Sequence, residues 1–515
     1  MAGLPPLGRR LGPGTVFRKH LVPTPPRWSV MANNDVSGLH KGVLGQGEVI
    51  FQAVSHLGPA LGIIVIGPQL AGLVGAAVPL ILLMALVAIL LTGLCVSMLA
   101  RKLPSSGGYY SYVSHGLGER AGFVTAWAYF LYDPLIPTIA TLFTAGILEP
   151  VIEQNLGFHL PWWVIVLVLL AIVHFATVRG IQPSARLTVA VGIAESLIIV
   201  AFAVFLLVRT GSAAFTFDPF RLSGTGSSTN TVFLAFAFGV LLFTGFESAA
   251  PLAEETANPR RAIPRTVVIS IIAVGSVWVL AGYAMVVGWG TGSLADIGAG
   301  ENAFFALADR FSGWAWLLLA LALLNSSLAS ALAGQNAGAR VLYTLGRSGI
   351  LPRRLAAVHP KHRTPVAALT ATTLLNVAVC LGVGFWLTPT GAFSFVGLFV
   401  TLGVIVVYVL GNLSVIRLFR TRFRAEWHPV KHVLLPVLAS AILLVGLYYT
   451  VWPFPVWPLN LAAAIVAGWL VLGLVLSLVL WRTRREGLIA AAQLLTDTTG
   501  ETESPVPSTA KDPTP

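Results

Sequence analysis

LLFTGFESAAP, residues 241–251, begins as an oily helix suited to lipid and then sets Thr244, Gly245 and the ionisable Glu247 where apolar packing is expected. The surrounding chain is equally unlike a water-soluble domain. Of its 515 residues 56% are hydrophobic and 10% charged, with a mean hydropathy of +0.83, against roughly 25% charged residues in ordinary soluble domains. Apolar runs of about 20 residues, enough to cross a ~30 Å hydrocarbon layer as helix, recur along nearly the whole length, so residues 241–251 lie within a membrane segment. The pattern predicts twelve spans, at 49–74, 76–99, 123–147, 161–178, 187–208, 231–252, 267–289, 315–342, 365–387, 391–416, 433–451 and 459–481.

The flanks differ from this core. Residues 1–45 are Pro-rich and basic and lack the compact apolar stretch of a signal peptide, which predicts a disordered cytosolic tail ahead of a twelve-helix domain at 46–486. Residues 487–515, rich in Pro, Thr, Ser and Glu, bury too little apolar surface to fold alone and predict a second disordered tail. Cys95 and Cys380 each fall inside a span, as small core residues rather than a disulfide pair or a metal site. The net charge of +12 follows topology: of the 32 Lys and Arg, all but Arg209, Arg221 and Arg310 fall on the side of the N-terminus when the spans alternate. This is the positive-inside pattern, and it excludes nucleic acid as the partner of the charge. It predicts cytosolic termini in a plasma or bacterial inner membrane. Trp162, Trp163, Trp289 and Trp314 near the outer ends suit the interface.

No G-x-x-x-x-G-K-[ST] phosphate loop is present to hold ATP, and no HExxH or nucleophile–base pair suggests an enzyme. No cofactor is implied, and no wide polar lining suggests a channel. If the chain moves a solute, a gradient or an exchange must supply the energy; a non-transporting sensor is the alternative.

Two spans are interrupted. In lipid an unpaired backbone group costs roughly several kcal/mol, so irregular backbone persists only where protein or a water-filled cavity surrounds it. The first span, VIFQAVSHLGPALGIIVIGPQLAGLV at 49–74, collects His56, Gly58, Pro59 and Gly62 at mid-depth, and Pro59 disfavours helix at Gly58. The sixth breaks at Thr244–Glu247. Each break heads a set of five spans, as an inverted repeat with a midplane site predicts; simple kinks or close packing are the alternative.

FTGFESAAPLAEETANPRRAIPR (243–265), NSSLASALAGQNAGARVLYTLGRSGILPRRLAAVHPKHRTP (325–365) and, more weakly, LPSSGGYYSYVSHGLGERAGFVTAW (103–127) resemble the amino acid-polyamine-organocation transporter superfamily. The resemblance implies an all-α integral membrane protein with a LeuT-like five-plus-five inverted repeat, helices 1–5 and 6–10, two further C-terminal helices, and helices 1 and 6 broken. It also implies movement of an amino acid or related amine by alternating access. In the family, N–H groups of broken helix 1 hold the substrate carboxylate and carbonyls of broken helix 6 hold its amino group, as half-helix ends should. Carried over, the substrate-binding residues are Ser55, His56, Gly58, Ala60, Leu61 and Gly62, with Phe243, Thr244, Gly245, Phe246 and Glu247. This sequence departs from the family's Gly-rich G-x-I-I-G-x-G run, carrying HLGPALG at 56–62 instead. The N–H groups of Ala60, Leu61 and Gly62 remain to meet a carboxylate, while amines, polyamines and unusual amino acids stay open.

Ionisable groups inside spans are functional candidates by default: His56, Asp133, His174, Glu195 and Glu247. Glu195, midway along the fifth span, stands about where some relatives carry a lysine implicated in proton coupling, and is expected to couple a proton or else to hydrogen-bond a neighbouring helix. Glu247 holds the break open or faces an amine directly, with Phe243 or Phe246 as gating aromatic. Asn325, Ser326 and Ser327 offer oxygens to sodium as the second-choice ion, or simply pack. Glu254 and Glu255 with Arg260, Arg261 and Arg265 form a solvated loop or part of an inner gate.

Overall fold

The computed structural model describes residues 45–104, 107–180, 185–211, 215–222, 227–254, 256–290, 302–347, 351–362 and 364–483. The expected tails, apart from residue 45, lie outside the described residues, as do Glu255 and the side chain of Glu254 in the loop after span six.

Span one is split into α1 (Gln46–Leu57) and α2 (Pro59–Val74), and α3 (Val78–Lys102) follows a tight corner at Gly75. After a short α4 (Gly108–Leu117), span three is also divided: α5 (Glu119–Tyr132) and α6 (Ile136–Leu156) flank a 3-10 turn at Asp133–Leu135. α7 (Trp162–Val178) and α8 (Ala185–Thr210) complete the first five spans. α9 (Thr229–Leu242) opens span six and gives way to a 3-10 segment, Phe246–Glu254, before α10 (Pro259–Trp289). A short α11 (Ala303–Phe311) precedes α12 (Ala315–Arg347), and α13 (Val366–Thr421), α14 (Leu435–Val451) and α15 (Leu459–Thr483) follow.

Among the described residues nine segments are long and apolar enough to cross a membrane. Two of them, Gln46–Lys102 and Val366–Thr421, have 57 and 56 residues, enough for two crossings each at about 1.5 Å per residue. With the shorter apolar Trp162–Val178, helical segments stand at all twelve expected positions. The chain is a multi-pass, all-helical membrane protein.

Small residues bring the helices close, as lipid-embedded packing demands. A β-carbon on Gly93 of α3 would stand 2.4 Å from Ile271 of α10, and one on Gly282 of α10 would stand 2.7 Å from Leu82 of α3. Spans nine and ten are separated by a single non-helical residue. Inside α13 only Thr388, at φ 63° and ψ 161°, leaves the helical region; Pro389 disfavours helix in the residue before it, which fits the extended ψ. Gly146 of α6 makes room for this corner, where a β-carbon would lie 2.7 Å from Pro389.

Two helices were not expected from the hydropathy pattern. α4 and α11 are too short to span, and each is fixed by tertiary contacts. Asn302 caps α11 by accepting from the Phe304 N–H at 3.1 Å and donates to the Ile64 carbonyl of α2 at 2.6 Å. Tyr109 of α4 stacks on Tyr408 of α13 at 5.6 Å.

Candidate functional site

The first break is made by one residue. Gly58 closes α1, donating to the Val54 carbonyl at 3.2 Å, and takes φ 63° and ψ 72°, left-handed backbone that costs an L-residue about 1–2 kcal/mol. A β-carbon there would come within 2.8 Å of the Ser330 hydroxyl and 2.9 Å of that of Ser326. Pro59 then starts α2, where its missing N–H leaves nothing unpaired.

The N–H groups behind it are already engaged. Ala60 donates to Glu195 Oε1 at 2.8 Å, Leu61 to Ser326 Oγ at 3.0 Å and Gly62 to the Gly58 carbonyl at 2.8 Å. The Pro59 carbonyl accepts from the Trp278 indole at 2.8 Å. On the other side of the break Ser55 and His56 are buried in the last turn of α1, and the His56 carbonyl accepts from Ser330 at 3.2 Å. The turn expected to meet a substrate carboxylate is therefore held by side chains of α8 and α12.

The second break is held from within. The Phe243 and Thr244 N–H groups tighten onto the Val240 and Leu241 carbonyls, and Gly245 follows at φ 115°. Glu247, buried two residues on, accepts from the Gly245 N–H at 3.0 Å and the Tyr408 hydroxyl at 3.1 Å with Oε2, and from the Tyr132 hydroxyl at 3.2 Å with Oε1. Both carboxyl oxygens thus bind groups of the protein, the geometry of a scaffold. Phe243 packs edge-on to Trp278 at 4.9 Å, and Phe246 lies 5.3 Å from Tyr408.

The two breaks touch. A β-carbon on Gly245 would lie 2.5 Å from Cδ2 of His56, and one on Gly62 would lie 2.6 Å from Leu242. Here two buried polar atoms, His56 Nε2 and Thr244 Oγ1, have no hydrogen-bond partner. All the residues carried over as substrate-binding fall in the two facing breaks, and Glu195 joins them from α8.

Glu195, 2% exposed, uses its other oxygen to accept from Asn325 Nδ2 at 2.7 Å. Of the residues offered as sodium ligands, Asn325 thus turns toward this carboxyl and Ser326 toward the Leu61 N–H; Ser327 donates to the Ala140 carbonyl of α6 at 2.9 Å. His174 pairs with Thr373 of α13 at 2.9 Å, away from both breaks. Cys95 and Cys380 are buried free thiols.

Beyond Asp133, the residues that close a further interruption gave no local signal. Span three carries a third interruption that starts at Asp133, whose Oδ2 is buried and unbonded. Asn376 of α13 repairs it: Oδ1 accepts from the Thr138 N–H at 2.9 Å and hydroxyl at 2.6 Å, and Nδ2 donates to the Pro134 carbonyl at 2.9 Å. Pro134 and Pro137 mark this turn in the sequence, but nothing near Asn376 does. Nothing in the sequence singles out Trp278, Tyr132 and Tyr408, whose polar ends clasp the two breaks. An apolar cavity of about 550 Å³, lined by Leu83, Phe217 and Tyr283 among others, contains none of the break residues. Outside the spans, Lys102 at the end of α3 pairs with Glu426, and that hydrogen bond holds the exposed Glu426 carboxyl below the usual carboxylate range.

Residues 44–479 match the profile of a family described as amino acid permease. The chain is 26% identical over 364 residues to the low-affinity putrescine importer PlaP of Escherichia coli, covering 68% of this chain and 75% of that protein. It is similar to the methylthioribose transporter of Bacillus subtilis, 26% identical over 405 residues, with 73% of this chain and 81% of the relative covered. The branched-chain amino acid permease BcaP of Bacillus subtilis is 25% identical over 305 residues, covering 55% and 63% respectively.

Proposed function

The chain belongs to the amino acid permease family, and from that premise we propose that it is a proton-coupled secondary transporter carrying an amine-bearing solute by alternating access at its two broken helices. It is a membrane transporter rather than an enzyme. Relatives named for putrescine and for branched-chain amino acids support an amine-bearing solute, whereas the relative named for methylthioribose carries a solute without an amine. The distribution of Lys and Arg supports cytosolic termini in a plasma or bacterial inner membrane.

One observation carries the coupling: a single buried carboxyl, Glu195, joins three helices by bonding the Ala60 N–H of α2 and the Asn325 amide of α12 from its own place on α8. An ionised carboxylate accepts strongly from both donors. Protonation removes that charge and weakens both bonds, which loosens α2 from α8 and α12. Proton occupancy then biases the position of a half-helix at the site, which is the differential interaction that any coupled conformational change requires.

Uptake into proteoliposomes with and without an inward proton gradient tests this. The expected result is gradient-stimulated accumulation that Glu195→Gln abolishes while one-for-one exchange survives. Accumulation by Glu195→Gln at the wild-type level would sink the proton assignment, and solute movement only against a loaded counter-substrate would make the protein an exchanger.

A further inference from the structure

A helix N-terminus offers free N–H groups and a positive dipole end to an anion. At the start of α2 that offer has been taken up inside the chain. Pro59 has no N–H, Ala60 is bonded to the Glu195 carboxyl, Leu61 to the Ser326 hydroxyl and Gly62 to the Gly58 carbonyl. Glu195 is itself 2% exposed and secured from its far side by Asn325 at 2.7 Å. A solute carboxylate arriving here would find no vacant donor and a resident carboxyl on the same turn.

Across from it the site is shaped for something else. The break in span six carries the buried carboxyl of Glu247, held by Gly245, Tyr132 and Tyr408, and in span three Oδ2 of Asp133 is buried and unbonded. Between the breaks stand the two buried atoms with unmet hydrogen-bonding capacity: Nε2 of His56, a residue only 6% exposed, and Oγ1 of Thr244, a residue 7% exposed. Both can accept a hydrogen bond, and an ammonium carries three donors and no acceptor.

We propose that Glu195 is a built-in substitute for a substrate carboxylate, so that the site takes organic amines lacking a carboxylate and rejects the amino acids that differ from them only by that group. The inference rests on the transport reading above and narrows its substrate class. Glu195 is then the specificity-determining residue: it fills the Ala60 donor that an amino acid needs, beside Leu61 and Gly62 N–H groups already taken by Ser326 and Gly58, and places a like charge where the solute carboxylate would sit. A site can reject a ligand by unpaired or repelling groups as effectively as it attracts another.

The test uses matched pairs that differ by one carboxylate: ornithine against 1,4-diaminobutane, lysine against 1,5-diaminopentane, and histidine against histamine. Binding to the purified full-length protein is read as the ligand-dependent rise in Tm, and uptake is measured in proteoliposomes. In the wild type the amine of at least one pair binds at least tenfold more tightly than its amino acid. Glu195→Ala frees the Ala60 N–H and narrows that ratio at least tenfold, chiefly by gain of the amino acid. If Glu195→Ala does not yield monodisperse protein, Glu195→Gln removes the charge at nearly constant shape and narrows the same ratio by a smaller factor. Tighter wild-type binding of the amino acids, or a ratio indifferent to both substitutions, overturns the inference and leaves the transport reading standing. Neither binding nor uptake of any member by the wild type overturns the transport reading, and the inference with it.

Discussion

The two broken helices solve the same problem by opposite means. At Gly245 the free backbone is satisfied by Glu247 only two residues away, so the repair travels with the segment that needs it. At Ala60 it is satisfied by Glu195, 135 residues away on a different helix, so the repair fails whenever the helices part. A break held locally can move as a unit, whereas one held remotely reports the position of its neighbours. On the proposed coupling, the span-six break is the stiffer scaffold and the span-one break the joint whose closure depends on charge.

The largest effect expected from that contrast falls on Glu247. Its removal in Glu247→Ala orphans the Gly245 N–H and the Tyr132 and Tyr408 hydroxyls, each worth roughly 1–3 kcal/mol when buried without a partner. Thermal unfolding in detergent should show a large fall in Tm, well beyond that of Glu195→Ala; the reverse order would break the comparison.

Gly58→Ala comes next. It forces φ 63° on an L-residue at about 1–2 kcal/mol and drives a β-carbon onto the Ser326 and Ser330 hydroxyls. The Tm should fall, and Ser330→Ala added to Gly58→Ala should recover part of it; a neutral Gly58→Ala would mean that the first break is not held at its left-handed residue.

The smallest effect belongs to the exposed Lys102–Glu426 pair. Lys102→Met should leave Tm at neutral pH unchanged within error, since exposed pairs contribute little and are screened by salt. Because the folded Glu426 carboxyl is held below its ordinary value of about 4, its contribution is complete above that value and is lost as the pH falls through the lowered one. A large loss at pH 7 would show that charges at the helix ends, and not only the buried carboxyls, lock the bundle.

What the sequence discloses follows the range of the interaction. The spans are legible because lipid demands an apolar run of known length, and the breaks because Gly58-Pro59 and Gly245 oppose helix within a few residues. What closes each break is not. Glu195 meets Ala60 across 135 positions and Asn376 meets Thr138 across 238, and no local period encodes such pairings. Tyr132 and Tyr408 go unmarked because a span does not reveal which way a hydroxyl points. Span three hides its interruption for a related reason: Pro134 and Pro137 could mark an ordinary kink, and only Asn376 makes the irregular turn affordable.

The one-residue corner at Thr388 has a consequence for how the chain can vary. Because the single non-helical residue Thr388 is all that separates the two helical runs, a residue added or removed just after it would rotate the remainder of the second run by about 100°. A single insertion would carry Phe393, Val396, Val400 and Tyr408, all now buried, around toward the lipid and take the Tyr408 hydroxyl from Glu247. Length changes that an ordinary surface connection absorbs unnoticed would here uncouple the tenth span from the break it supports, so at this junction residue number is itself a structural constraint.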